Sequence, residues 1–146
     1  FGIKMFNAIT MWFVIEHFKD LDSVFNSVSK MLKLGGIFAF STPSASGVSG
    51  KYSPESFFNS SPSDHYTLWE PKKTDEILKK YGFKVVKKIY TGHHPERFPC
   101  AKKKSFSPGS LRYSFLNGFS KVMGLGDTFE VYCIKTGEIQ DKKERT

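Results

Sequence analysis

The sequence is short of cysteine. Only Cys100 and Cys133 occur among 146 residues, far apart and without the close spacing of a metal site. That sets aside a disulfide-rich scaffold and points to a reduced, cytoplasmic protein, with a single structural disulfide left open. A membrane-spanning run is also missing. The first fifteen residues are apolar but broken by Lys4 and Asn7, lack a basic leader and a small-residue cleavage site, and are too short to cross a bilayer. Neither a signal peptide nor a membrane partner is expected. Acids are scarce beside bases, 14 Asp and Glu against 22 Lys and Arg, a net charge of +8. Such an excess suits nucleic acid, an acidic membrane surface or anionic substrates. The lysines are scattered, however, and do not interleave with aromatics, so no nucleic-acid partner is expected. There is no internal repeat. The chain opens on Phe1 and runs almost directly into a strand-like segment, which reads as part of a longer protein.

What is present suffices for one core: 39% of residues are hydrophobic and 16% aromatic. Residues Phe6 to Ile15 are β-branched, aromatic or long apolar types with little polar alternation, the pattern of a strand covered on both faces in a parallel sheet. Asp20 can cap a following helix, in which Leu21, Val24, Phe25, Val28, Met31 and Leu32 recur at helical spacing. Gly35 and Gly36 are expected at its exit and Ile37 to Phe40 in the next strand. Strand, helix and strand within this length form a right-handed parallel α/β unit.

Ser41 to Ser63, rich in Ser, Gly, Pro and Asn, reads as a long loop leaving the carboxyl end of a strand. It is either a substrate lid or a flexible surface insertion. A helix is expected from Pro71, with Ile77, Leu78 and Tyr81 as its apolar stripe and Gly82 as its end. Phe83 to Tyr90 follow as a strand. A second irregular, basic stretch spans Gly92 to Ser107 and contains His93, His94 and Arg97. Ser107 and Pro108 then open a helix with Leu111, Phe115, Phe119 and Val122 on one face, closed by Gly124 and Gly126. Thr128 to Ile134 is the last strand. The charged tail, residues 137–146, is expected to fray.

This order resembles the second half of the class I S-adenosylmethionine-dependent methyltransferases, in the ubiquinone-biosynthesis-like branch. Phe6-Asn7-Ala8-Ile9, Val14-Ile15-Glu16-His17, Leu32-Lys33-Leu34-Gly35-Gly36 and Thr42-Pro43 stand where that family commonly has Phe-Asp-x-Ile, Val-Ile-Glu-His, Leu-Lys-Pro-Gly-Gly and Thr-Pro. Asp64 to Val85 is similar to the stretch leading into the next helix and strand. The resemblance implies the carboxy-terminal half of a Rossmann-like sheet, parallel strands with helices on the faces and one antiparallel last strand. On this reading residues 1–136 are a partial methyltransferase domain. The family's glycine-rich cofactor turn and ribose-holding acid have no counterpart, so the chain alone is expected to bind S-adenosylmethionine poorly. The alternative is a non-catalytic methyltransferase-like binding or assembly module.

In the resembled fold, residues leaving this first strand line the cofactor, which makes Met11, Trp12 and Phe13 its candidate contacts. All three are also readable as packed core. Transfer to a hydroxyl needs a base, and an imidazole accepts a proton at neutral pH, so His17 is the candidate catalytic base with Glu16 orienting it. The two are also readable as a brace for the following helix. His65 and Tyr66 are candidate contacts for a small-molecule or glycan-like acceptor. Metal-dependent relatives carry Glu-x-x-Glu-His here. Phe13 replaces the first glutamate, removing a charge and an oxygen ligand, so no metal is expected. Without the missing half of the sheet, residues 6–15 form an open edge that predicts a homodimer, or a swapped or aggregating species.

Overall fold

The computed structural model describes residues 5–102 and 106–139. It is an α/β structure with four strands: β1 (Phe6–Trp12), β2 (Leu32–Pro43), β3 (Phe83–Thr91) and β4 (Thr128–Lys135). They form a single sheet in the order β1-β2-β4-β3. β1 and β2 are parallel, whereas β4 runs antiparallel to both β2 and β3. The first three strands therefore share a direction and the last one, inserted between β2 and β3, opposes them, as the sequence predicts.

Helix α1 (Leu21–Met31) makes the parallel crossover, and its start is set by Asp20, whose Oδ1 accepts from the Ser23 amide at 3.0 Å. Phe25 and Val28 turn inward onto Phe38 and Phe40 of β2 and Phe129 and Val131 of β4, all buried. Phe25 is the hub of this core. Its ring packs edge to face on Phe38 at 6.2 Å and on Trp69 at 5.9 Å. At the other end of α1, the buried Lys135 ammonium donates to the carbonyls of Ser29 and Leu32 at 2.7 and 3.2 Å, satisfying acceptors the helix leaves open. A second, smaller core joins Val48, Phe98, Ala101 and Leu125.

Several expectations need correction. β1 stops at Trp12 rather than Ile15: Phe13 has φ 53°, which no strand tolerates, and Ile15–His17 form a 3-10 turn that buries Ile15. β1 is also not covered on both faces; most of its residues are exposed and, among the described residues, it pairs only with β2. Gly35 and Gly36 do not end the helix. They lie inside β2, where the register slips between Phe6 and Ala8, and Gly35 takes the positive φ (79°) that the irregularity needs. Ser41 to Ser63 is not one long loop: β2 runs to Pro43 and two short helices follow, α2 (Val48–Tyr52) and α3 (Pro54–Asn59). Helix α4 (Thr74–Lys79) begins after a turn at Pro71, whose carbonyl accepts from Thr74 Oγ1 at 2.8 Å. Gly82, at φ 80°, follows it as expected. Past the 3-10 turns Pro95–Arg97 and Pro99–Lys102, helix α5 (Leu111–Val122) is capped by Ser110 rather than opened at Ser107.

Cys100 and Cys133 are both free thiols. No helix among the described residues is long and apolar enough to cross a membrane. Of the tail, residues 140–146 lie outside the described residues.

Candidate functional site

The site grows from the carboxyl end of β1. Two bonds from the Phe13 amide, to the backbone carbonyl and the Oγ of Ser41, each 3.1 Å, hold the left-handed turn that follows Trp12. A left-handed bulky residue at a strand end is strained backbone of the kind found where a fold positions ligands. The turn leaves the Trp12 and Phe13 side chains half-exposed. Trp12 lies against Tyr132 of β4 at 6.2 Å between ring centroids. Met11 points the other way, into the main core beside Ile9, so of the three candidates it is the one placed as packing.

After the turn, Glu16 is 1% exposed and its Oε2 has no hydrogen-bond partner among the described residues. Its carbonyl accepts from the amides of Tyr66 at 2.8 Å and Thr67 at 3.2 Å, which pins the segment after α3 against the 3-10 turn. That pinning brings His65 to His17. Their rings meet edge to face, centroids 4.7 Å apart. His17 Nδ1 lies 3.1 Å from both the backbone carbonyl oxygen and Oδ2 of Asp64. Donation from Nδ1–H fixes the tautomer and leaves Nε2 as a lone-pair acceptor. His65 Nδ1 is 3.5 Å from Ser61 Oγ, and the exposed Tyr66 ring lies under the Lys19 ammonium at 4.5 Å.

The ligand atoms of Glu16, His17 and His65 all lie within 4.8 Å of one another. One carboxylate and two imidazoles are a donor set able to hold a divalent ion such as zinc with water in the remaining position. In the sequence only the glutamate lost at Phe13 bears on a metal. The arrival of His65 from a distant segment has no signal there. His93 and His94 do not join this group: His93 bridges Ser120 Oγ at 2.7 Å and the Tyr90 carbonyl at 3.1 Å, and His94 pairs with Glu96 at 2.9 Å.

A second polar constellation went unread in the sequence. Asp127, buried just ahead of β4, accepts from the Ser49 amide at 2.8 Å, Ser49 Oγ at 2.6 Å and Arg97 Nη1 at 2.7 Å. It ties α2 and the basic stretch to the sheet. Beside it, Arg97 closes a cavity of about 400 Å³ whose other walls are Ser49, Ser53, Ser56, Phe57 and Ser60. This serine-rich space opens at the carboxyl end of β2, where α/β sheets bind ligands. The Ser-rich segment 41–63 and Arg97 stand out in the sequence, but the aspartate that joins them is a lone acid between a glycine and a strand.

A family model described as a methyltransferase domain matches residues 4–88. Among solved structures, the chain is similar to an S-adenosylmethionine-dependent methyltransferase of Thermotoga maritima, described as a possible histamine N-methyltransferase. The two are 15% identical with a TM-score of 0.57, over 90% of this chain and 56% of that one. A second, from Archaeoglobus fulgidus, is an S-adenosylmethionine-dependent methyltransferase at 16% identity, TM-score 0.56, over 90% and 60% of the two chains. A third, phosphoethanolamine N-methyltransferase 2 of Haemonchus contortus in complex with phosphomonomethylethanolamine and S-adenosylhomocysteine, is 20% identical with a TM-score of 0.54, over 90% and 34%. The chain thus spans no more than about three fifths of these proteins' lengths. No curated protein matches it.

Proposed function

Because the chain belongs to the methyltransferase domain family, we propose that it supplies the carboxy-terminal half of a class I S-adenosylmethionine-dependent methyltransferase acting on a small-molecule or glycan-like acceptor. The supporting observation is the juxtaposition of an imidazole with a fixed tautomer, His17, and two half-exposed aromatic rings, Trp12 and Phe13, at one strand end. S-adenosylmethionine, when bound, supplies an electrophilic methyl group. The residues present fit one flank of such a cofactor: Trp12 and Phe13 offer an apolar face to its adenosine or methionine portion, with Met11 packed behind them.

His17 takes the proton of an acceptor hydroxyl at Nε2 while Asp64, in place of the Glu16 expected from the sequence, holds Nδ1–H; Glu16 braces the site through its backbone carbonyl, which accepts from Tyr66 and Thr67. His65 and Tyr66 contact the acceptor. Methyl transfer demands chiefly alignment and exclusion of water, and the bonds from Tyr66 and Thr67 to the Glu16 carbonyl hold the segment after α3 beside His17 for the first of these. Without the missing half of the sheet, the edge of β1 carries no pairing on its outer side among the described residues, and we assign to it the contact of a homodimer of this chain alone. A clean monomer in sedimentation at high concentration removes that assignment. The two free thiols accord with a cytoplasmic location.

Calorimetric titration of the full-length protein with S-adenosylhomocysteine tests the reading. One site per chain is expected, and no binding overturns it. A second reading, favoured by the gathering of Glu16, His17 and His65, places a divalent ion there. Stoichiometric zinc or manganese binding that is lost in both His17→Ala and His65→Ala supports it. In that case His17 is a ligand and not the base.

A further inference from the structure

Helix α5 carries apolar residues on more than its packed side. Its inner side packs: Leu116 joins the second core, Ser120 is buried, and Phe119 meets Phe98 at 6.1 Å. Among the described residues nothing covers its outer side. Leu111 is 90%, Phe115 71% and Val122 86% exposed, and Met123 beyond the last turn is exposed as well. At 3.6 residues per turn the first three fall within about 40° of one another, a continuous stripe along the helix. Scattered apolar residues on a surface need no explanation, but a contiguous stripe does.

The charges around the stripe say what it fits. On the same helical projection Arg112 and Lys121 stand on its two opposite flanks, about 60° to 120° from its centre. From Arg97 to Gly126, thirty residues, the sequence holds six cations and no acid. Beside the stripe an apolar groove of about 460 Å³ is lined by Cys100, Phe106, Leu111, Arg112, Phe115 and Leu116. Position in the fold separates this face from the sheet's open edge. α5 connects β3 to β4, the two strands furthest from β1 in the sheet order.

We propose that the outer face of α5 docks on an anionic lipid surface, the helix lying in the plane of the interface with Leu111, Phe115 and Val122 among the acyl chains. Arg112 and Lys121 then meet the headgroups on either side. An apolar stripe flanked by cations and free of acids is the pattern of an interfacial helix, and the negative cytoplasmic leaflet is the surface it complements. The expectation of no membrane partner rested on the lack of a spanning segment and does not bear on a helix that lies flat.

Vesicle co-sedimentation of the full-length protein decides the matter, with phosphatidylcholine alone compared with phosphatidylcholine containing about 30% phosphatidylserine. Binding to the anionic vesicles only is expected, weakening as salt rises from roughly 0.1 to 0.5 M. Phe115→Ser with Val122→Ser removes outward side chains, so helical content and melting temperature should stay unchanged while partitioning falls at least about tenfold. Arg112→Glu with Lys121→Glu should abolish the preference for phosphatidylserine. No binding by the unaltered protein overturns the proposal, as does equal binding by the folded Phe115/Val122 variant. Self-association in the absence of lipid that the same pair abolishes also overturns it, by making a second copy the occupant.

Discussion

The rings of His17 and His65 stand perpendicular, 85° between planes, with their centroids 4.7 Å apart. One belongs to the turn after β1 and the other to the segment after α3. The bonds from the Tyr66 and Thr67 amides to the Glu16 carbonyl are what hold the two segments in register. If His17 is the base, His17→Asn should lower the rate of methyl transfer by about 10² to 10⁴. Affinity for S-adenosylhomocysteine should be unchanged. His65→Ala should act mainly on KM for the acceptor. Equal losses in cofactor affinity for both variants would reassign the pair to bracing the turn.

What the sequence disclosed were features with a local cause. Asp20 ahead of an apolar period announces α1, and Gly82 announces the end of α4, because a cap or a left-handed exit is decided within a few residues. α2 and α3 were hidden for the opposite reason. Val48 has no periodic partners of its own and is held by distant groups, its amide donating to the Leu125 carbonyl at 3.1 Å and the next residue's to Asp127. The same holds at the site. Glu16 and His17 stand out as neighbours in the sequence, but the approach of His65, like that of Arg97 to Asp127, is a tertiary event with no local signature. The outward face of α5 shows the converse limit. Its period is plain in the sequence, and only the structure reveals that the stripe faces solvent.

Trp12 and Trp69 are the two tryptophans, and they report different places. Trp69 is buried, with Nε1 donating to Thr67 Oγ1 at 3.2 Å and its ring against Phe40 at 5.4 Å. Of these two, S-adenosylhomocysteine binding should therefore change the emission of Trp12 and leave that of Trp69. Trp69→Phe should keep the fluorescence response and Trp12→Phe should lose it. Trp12→Ala, which removes a half-exposed ring without opening the core, should weaken binding by about tenfold. A response that survives in Trp12→Phe would move the cofactor away from this strand end.

Asp127 accepts three hydrogen bonds, one of them from the Arg97 guanidinium. Removing the carboxylate leaves the Ser49 amide without its acceptor and frees α2 from the sheet. Asp127→Ala should therefore cost about 3 kcal/mol in urea unfolding, where breaking one side of a buried charged network commonly falls. Arg97→Ala should cost less, about 1 kcal/mol, because the guanidinium is half-exposed and screened. A cost for Asp127→Ala no larger than for Arg97→Ala would mean that the Ser49 bonds contribute nothing.

The two thiols should behave as different chemical species. Cys100 is exposed, whereas Cys133 lies in the main core, where burial, aided by the Asp75 charge and opposed by Lys88, pushes its thiol from 9.0 up to about 12. At pH 8 a thiol reagent should titrate one cysteine per native chain and two in denaturant, because the core shields Cys133 from the reagent and its burial disfavours the reactive thiolate. The sign of the linkage is fixed by the raised value. The fold favours the protonated thiol, so its contribution to stability is fully present below pH 9 and is lost as pH rises from 9 toward 12. Tyr81, whose phenol burial and the bond to Asp22 raise from 10.0 to about 12, loses stability in the same direction but only above 10. The slope of unfolding free energy therefore begins with Cys133 near pH 9 and is joined by the phenols of Tyr81 and Tyr132 toward pH 10, so Cys133→Ala should flatten its low-pH onset more than Tyr81→Phe does. A native chain that reacts at both thiols at pH 8 would show instead that the sheet around β4 opens faster than the core packing implies.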